Sequence, residues 1–234
     1  MLGLDRPDQG TIQQIFQSTA AWTAVFTTLN ALLLRQRSLG FNNRAVSLLH
    51  ALVALTLCPA ALNWQHPFSG YGQKTTDYQR FVMNISLGYF TYDMLCCLYI
   101  DLDFANVAHH LCTTLGLAVG VCNGVSGTEL TFCLLLMEVS NPFLHGRFLL
   151  KELGWKQTHL SVINDLAFAI SFFVCRLLIG PVVVYYTLVC PSSPTIVKVG
   201  GIGIQVVSLF WFYKIAQIAI GKTSKQRSKG HKLQ

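Results

Sequence analysis

The sequence predicts an all-α fold: a polytopic membrane bundle of seven (alternatively six) transmembrane helices around a lipid cavity. Three observations carry this. Hydrophobic residues make up 52% of the 234 and charged residues only 12%, about half the ~25% usual in soluble domains. The apolar residues gather into seven stretches, each long enough to cross a hydrocarbon core ~30 Å thick as a helix. Short breaks with turn chemistry separate them: HPFSGYG, DLD, NGVSG and CPSSP. Sustained period-two alternation is absent, and barrel strands are about half this length, so strands are excluded.

The first stretch, 12–34, is the least apolar, because Gln13, Gln14, Gln17 and Asn30 interrupt it; six spans is therefore the alternative count. It does not read as a signal peptide, since MLGLDRPDQG lacks a basic leader and no small-residue cleavage site follows. The second, 45–64, carries His50, and the third, 81–100, carries Tyr89 and Asp93. The fourth, 105–125, opens with His109 and His110. The fifth, 128–148, holds Glu138, Asn141, Pro142 and His145. Pro142 has no N–H for the Glu138 carbonyl, which predicts a kink that leaves that carbonyl free in the polar zone. The sixth, 162–188, carries Arg176 near its centre, and the seventh is 196–220. Residues 1–39 read as an N-terminal segment, 40–220 as the main domain and 221–234 as a basic tail.

Lysines and arginines set the orientation. With seven spans, eleven fall on one side: Arg35, Arg37 and Arg44, then Arg147, Lys151 and Lys156, then five in the tail. Four fall on the other: Arg6, Lys74, Arg80 and Lys198. The basic side is the cytosolic one. The net charge of +7 is thus mostly topology, with the tail free to meet anionic headgroups. A basic tail without aromatics gives no case for nucleic acid.

Six of the eight cysteines lie within predicted helices, as small soft hydrophobes. Cys122 and Cys190 share the non-basic edge, which leaves a disulfide between them open. No CxxC or Cys/His spacing suggests zinc, so neither a metal nor a cofactor is expected. The Asn84 sequon falls inside a span and is read as inert. Trp22, Trp64, Trp155 and Trp211 lie at or near span ends and read as interface-belt residues.

Ionisable groups inside a bilayer are expensive. Facing lipid, Asp93, Glu138 and Arg176 would together cost about 8–10 kcal/mol, so they must face the bundle interior or a water-filled cavity. At ~1.5 Å per residue, His50, Asp93, His110, Glu138, Asn141, His145 and Asp165 all lie in the cytosolic half or at mid-membrane. Glu138, Asn141 and His145 form one helical stripe, and Tyr89 with Asp93 another. A cavity open to the cytosol is the economical reading. Structural glue between helices is the competing one, evenly balanced for His50, Asp165 and Thr113.

NNRAVSLLHA, GYFTYDML, VAHHLCTTLGL, SGTEL, MEVSNPFLHGR and KVGGIGI resemble the TLC domain family, which includes the ceramide synthases; the resemblance runs from about residue 40 to 220. It implies six helices around a central lipid cavity, usually in the endoplasmic reticulum rather than the plasma membrane. It also implies that His109 and His110 match a histidine pair that supports acyl transfer from a coenzyme A thioester to a sphingoid amine. The synthases carry a second motif, His-Asp-x-x-Asp, where this chain has Met137, Glu138, Val139, Ser140 and Asn141.

Two functions follow. The favoured one is a lipid-binding or lipid-regulating membrane protein acting in lipid homeostasis. Its pocket uses His50, Asn141, His145 and Arg176 toward a phospholipid or sphingolipid. The alternative is an acyltransferase with His109 and His110 as catalytic candidates, Glu138 and Asp93 tuning their charge, and acyl-CoA as co-substrate. A transporter lacks the inverted repeat that would support it. Lipid identity, oligomeric state and organelle are not encoded in any motif.

Overall fold

A computed structural model describes residues 9–100 and 102–230, with side chains through 217 except Leu33. Arg6 and the basic residues of the tail, which enter the charge count above, lie outside the described side chains. The chain is a helical membrane bundle. Its helices are α1 (Gln9–Thr28), α2 (Leu39–Leu57), α3 (Asp77–Ile100), α4 (Phe104–Asn123), α5 (Gly127–Val139), α6 (Asn141–Glu152), α7 (His159–Phe172), α8 (Gly180–Val189) and α9 (Thr195–Gly230). A π-helical segment, Phe173–Ile179, joins α7 and α8 into one rod. Among the described residues, the extended pairing is a single bridge between Lys74 and Val125.

Among the described residues, five rods are long and apolar enough to cross a membrane: α2 with its 3-10 extension to Ala61, α3, α4, the α7–α8 rod and α9. The first predicted span, α1, is not among them, in keeping with its glutamines. The fifth is not one helix: the predicted span 128–148 is broken at Ser140 into α5 and α6. Pro142 is the reason, since it cannot continue the hydrogen-bond ladder. The expectation about the freed carbonyl needs correcting. The Glu138 carbonyl accepts from the Ser140 N–H, and it is the Met137 carbonyl that a side chain takes, that of Arg176 at 2.8 Å.

Capping explains where the rods begin. The Ser38 hydroxyl accepts from the Phe41 N–H at the start of α2, and it also donates to Glu152 across the basic face at 2.8 Å. Asp103 accepts from the Ala105 and Asn106 N–H groups to start α4, satisfying donors that have no intrahelical partner. Gly124 ends α4 in the left-handed conformation.

α3 is the central helix, with 61% of its membrane-crossing stretch buried against 17% in α9. α1 seats on α3 through polar contacts. The Trp22 indole and the Ser18 hydroxyl both donate to the Ile85 carbonyl, at 3.1 and 3.2 Å. Asn84, the sequon residue, is buried and donates to Gln14 at 2.8 Å. Gly88 permits the crossing, because a Cβ there would lie 2.5 Å from the Ser18 Cβ and 2.7 Å from its carbonyl carbon.

At the non-basic face, Glu129 is buried at 2% exposure. It accepts from the Gly72 N–H and the Ser193 hydroxyl, at 2.9 and 2.8 Å, tying the 62–76 loop to the α8–α9 turn. Gly72 has φ +66°, and a Cβ there would meet Ser192, Cys190 and Ser193 within 2.8 Å. Burial, with the Glu129 carboxylate adding, pushes the neighbouring Tyr71 phenol well above its ordinary range. None of the eight cysteines is in a disulfide, so Cys122 and Cys190 are not bridged; the Cys190 thiol instead contacts the Tyr71 carbonyl at 3.4 Å.

Gly88→Ala should lift α1 off α3 and lower stability by about 1–3 kcal/mol. A thermal unfolding midpoint equal to that of the parent would show that the close approach is not required.

Candidate functional site

The buried polar residues form two groups and a joint. The first group lies between α2, α3 and α4, centred on Asp93. Its Oδ1 accepts from Asn43 Nδ2 at 2.8 Å, and its Oδ2 accepts from the Tyr89 hydroxyl at 3.1 Å. The Tyr92 hydroxyl donates to Asn43 Oδ1 at 2.6 Å and so fixes the amide that holds the carboxylate. His110 Nε2 lies 3.3 Å from Asp93 Oδ2. Tyr89 and Asp93 meet because they are one turn apart on α3.

The second group lies between the α5–α6 break and the π segment. Asn141 Nδ2 donates to Glu138 Oε2 at 2.9 Å, while Asn141 Oδ1 accepts from Arg176 Nη2 at 3.2 Å. Arg176 is 2% exposed, and its guanidinium lies over the rings of Phe172 and Trp211, at 5.1 and 5.7 Å from their centroids. The π segment around it follows from Pro181, which offers no N–H to the carbonyl of Leu177. The Arg176 carbonyl itself accepts from Gln205 Nε2 of α9 at 3.1 Å. His109 packs its ring against Trp211 at 5.1 Å and against His110 at 5.6 Å.

His50 is the joint. It is wholly buried and stacks on Tyr89 of the first group at 3.8 Å with the rings nearly parallel. Its Nδ1 lies 3.8 Å from Glu138 Oε2 of the second group, and its Nε2 is 3.1 Å from the Ser86 hydroxyl. Trp22 meets both His50 and Tyr89 edge-on, each at 5.6 Å.

Several buried donors and ring nitrogens are left over. Arg176 Nε and Nη1, and Nδ1 of His50, His109, His110 and His145, have no hydrogen-bond partner. A cavity of about 470 Å³ opens at the basic face. Asn43 and Asp93 lie in its wall, together with Arg44, Cys97, Asn106 and Lys151.

His109, His110, Asp93, Glu138, His50, His145 and Arg176 are thus all buried, and Asn141 bridges an acid and an arginine. Asp165 does not join them. It pairs with Arg147 at 3.4 Å, both about a third exposed, because α7 turns it toward the middle of α6. Two tryptophans read as belt residues are structural parts of the site: Trp22 is buried against the His50–Tyr89 stack, and Trp211 lies beneath Arg176. Trp64 and Trp155, more than half exposed, remain at the surface. Asn43, Ser86 and Tyr92 went unmarked in the sequence; only the helical spacing of Asn43 with His50, of Ser86 with Tyr89 and Asp93, and of Tyr92 with Tyr89 points to them.

The TLC domain family model matches residues 40–217, so α1 lies outside the match. Over 194 residues the chain is 29% identical to TLC domain-containing protein 4-B of Danio rerio, covering 76% of this chain and 72% of the relative. It is 29% identical over 213 residues to TLC domain-containing protein 4 of Xenopus tropicalis, covering 78% of each. A Xenopus laevis protein 4-B is 24% identical over 237 residues, covering 88% of this chain and 84% of the relative.

Asp93→Ala should cost about 3–5 kcal/mol, since it strips the partner from several buried polar groups at once. Asp165→Ala should cost at most about 1 kcal/mol, as expected for a solvent-screened pair. Chemical unfolding of the two variants side by side checks the contrast; equal losses would deny Asp93 its central place.

Proposed function

The chain belongs to the TLC domain family, and from that premise we propose that it binds a membrane lipid in its polar intramembrane pocket and acts in lipid homeostasis. One observation carries the reading: Arg176 is buried inside the bundle with two of its guanidinium nitrogens unpartnered. A buried donor without an acceptor costs about 1–3 kcal/mol, more when it is charged. An anionic lipid headgroup supplies the missing acceptors, and the His109 ring packs on Trp211, the ring beneath the guanidinium. Arg44 and Lys151 line the basic-face cavity, which has Asp93 rather than Arg176 in its wall, and their charge draws an anionic headgroup to that face.

Several finer points belong to the same reading. The lysine and arginine bias favours a cytosolic basic face and tail, and the family resemblance favours the endoplasmic reticulum. In layout and length the chain also resembles TLC domain-containing protein 5.

The acyltransferase reading keeps one specific support. Asp93 lies beside His110 and is itself held by Asn43 and Tyr89, which is how an acid orients an imidazole for proton transfer. That acid comes from α3, whereas the synthase motif aligned at 137–141 would place it on α5.

Native mass spectrometry of the purified chain should show a co-purifying lipid. Arg176→Gln should reduce its retention about 10-fold or more, the loss of a charged hydrogen bond. An unchanged lipid load in that variant would sink the binding reading. A covalent acyl adduct on His109 or His110 after incubation with long-chain acyl-CoA would replace it with the transfer reaction.

A further inference from the structure

Asp93 and Cys97 are four residues apart on α3, so their side chains leave the same face of the helix. His110 of α4 meets them there. The carboxylate oxygen, the thiol sulfur and the imidazole nitrogen all lie within 4.8 Å of one another, and all three residues are buried. From this we infer that Asp93, Cys97 and His110 form a zinc site with one open coordination position.

The spacing is that of a ligand set. Asp93 Oδ2 and His110 Nε2 are 3.3 Å apart, longer than the ~2.7–2.9 Å of a charge-assisted hydrogen bond. With zinc bonds of ~2.0–2.1 Å to oxygen and nitrogen, two ligands of a tetrahedron stand about 3.3–3.4 Å apart. The sulfur edge of such a tetrahedron is about 3.6 Å, within reach of the present separations by a rotation of the thiol.

The surroundings hold the ligands as a metal site requires. Asn43 holds Oδ1 of Asp93 at 2.8 Å and the Tyr89 hydroxyl steadies Oδ2 at 3.1 Å, with Oδ2 facing His110. Asn106 Nδ2 donates to Cys97 Sγ at 3.0 Å, a bond that steadies a thiolate. Asp93, Cys97 and Asn106 also lie in the wall of the basic-face cavity, which gives the ion a route and its fourth position a water or an exogenous ligand. A set of one sulfur, one nitrogen and one oxygen suits a borderline ion such as zinc rather than magnesium or calcium, which take oxygen. Ligand spacing along the chain gave no hint of this, because the set is split across two helices. The inference rests on residues other than the Arg176 donors and stands whether or not a lipid binds beside them.

Cobalt(II) is the probe. The full chain, purified in detergent, stripped with a chelator and titrated with cobalt, should take up one equivalent and develop a sulfur-to-cobalt charge-transfer band. Metal analysis of untreated protein should give about one zinc per chain. Cys97→Ala should abolish the band, Cys96→Ala should keep it, and Asn106→Ala should weaken cobalt binding about 10- to 100-fold. Absence of the band in the parent chain overturns the site, and that reading needs no variant to fold. So does a band that survives Cys97→Ala.

Discussion

A carboxylate inside a helical bundle must find its donors in the fold, and the bundle is organised around meeting that need twice. Asp93 draws donors from α2 and from its own helix and brings α4 alongside through His110. Glu138 is met by Asn141 and, at longer range, by His50. Because His50 also stacks on Tyr89, the two acids are mechanically connected. The helices that carry them cannot shift independently without stripping a partner from a buried charge.

The irregular backbone serves the same end. The α5–α6 break and the π segment are each a departure from regular helix, and each exposes a carbonyl that lipid cannot satisfy. They face one another. Arg176, in the π segment, donates to the Met137 carbonyl at the break, and Gln205 takes the carbonyl of Arg176. Two prolines, Pro142 and Pro181, thus create a matched pair of interruptions, and one arginine spans them.

Much of the architecture was legible because hydropathy reports directly on a membrane bundle. The rods α2, α3, α4, α7–α8 and α9 each overlap a predicted span, although α2 begins six residues earlier than 45 and α9 continues past 220 to Gly230. The fifth stretch was legible in part: Pro142 announced an interruption within 128–148, but a kinked single span was expected where the chain breaks into two helices, because hydropathy does not report how far a proline parts the ladder. In the site, the ionisable residues announced themselves by their cost in lipid. Their uncharged partners did not, since an asparagine such as Asn43 or a tyrosine such as Tyr92 is common enough in any helix. Trp22 and Trp211 were misread for a simpler reason: each lies nine or more residues inside its predicted span, 12–34 and 196–220, too deep for an interface belt. Asp165 shows the converse, a charge at a plausible depth that turns outward to Arg147.

The helix that lies outside the family match supplies part of the innermost wall. Trp22 of α1 closes the His50–Tyr89 stack from the side. A chain begun at residue 40 would keep every position that identifies the family and still lack a wall of its own polar core. The shared domain and the working unit therefore have different boundaries, and relatives that differ in their first helix can inherit the same histidines inside differently shaped chambers.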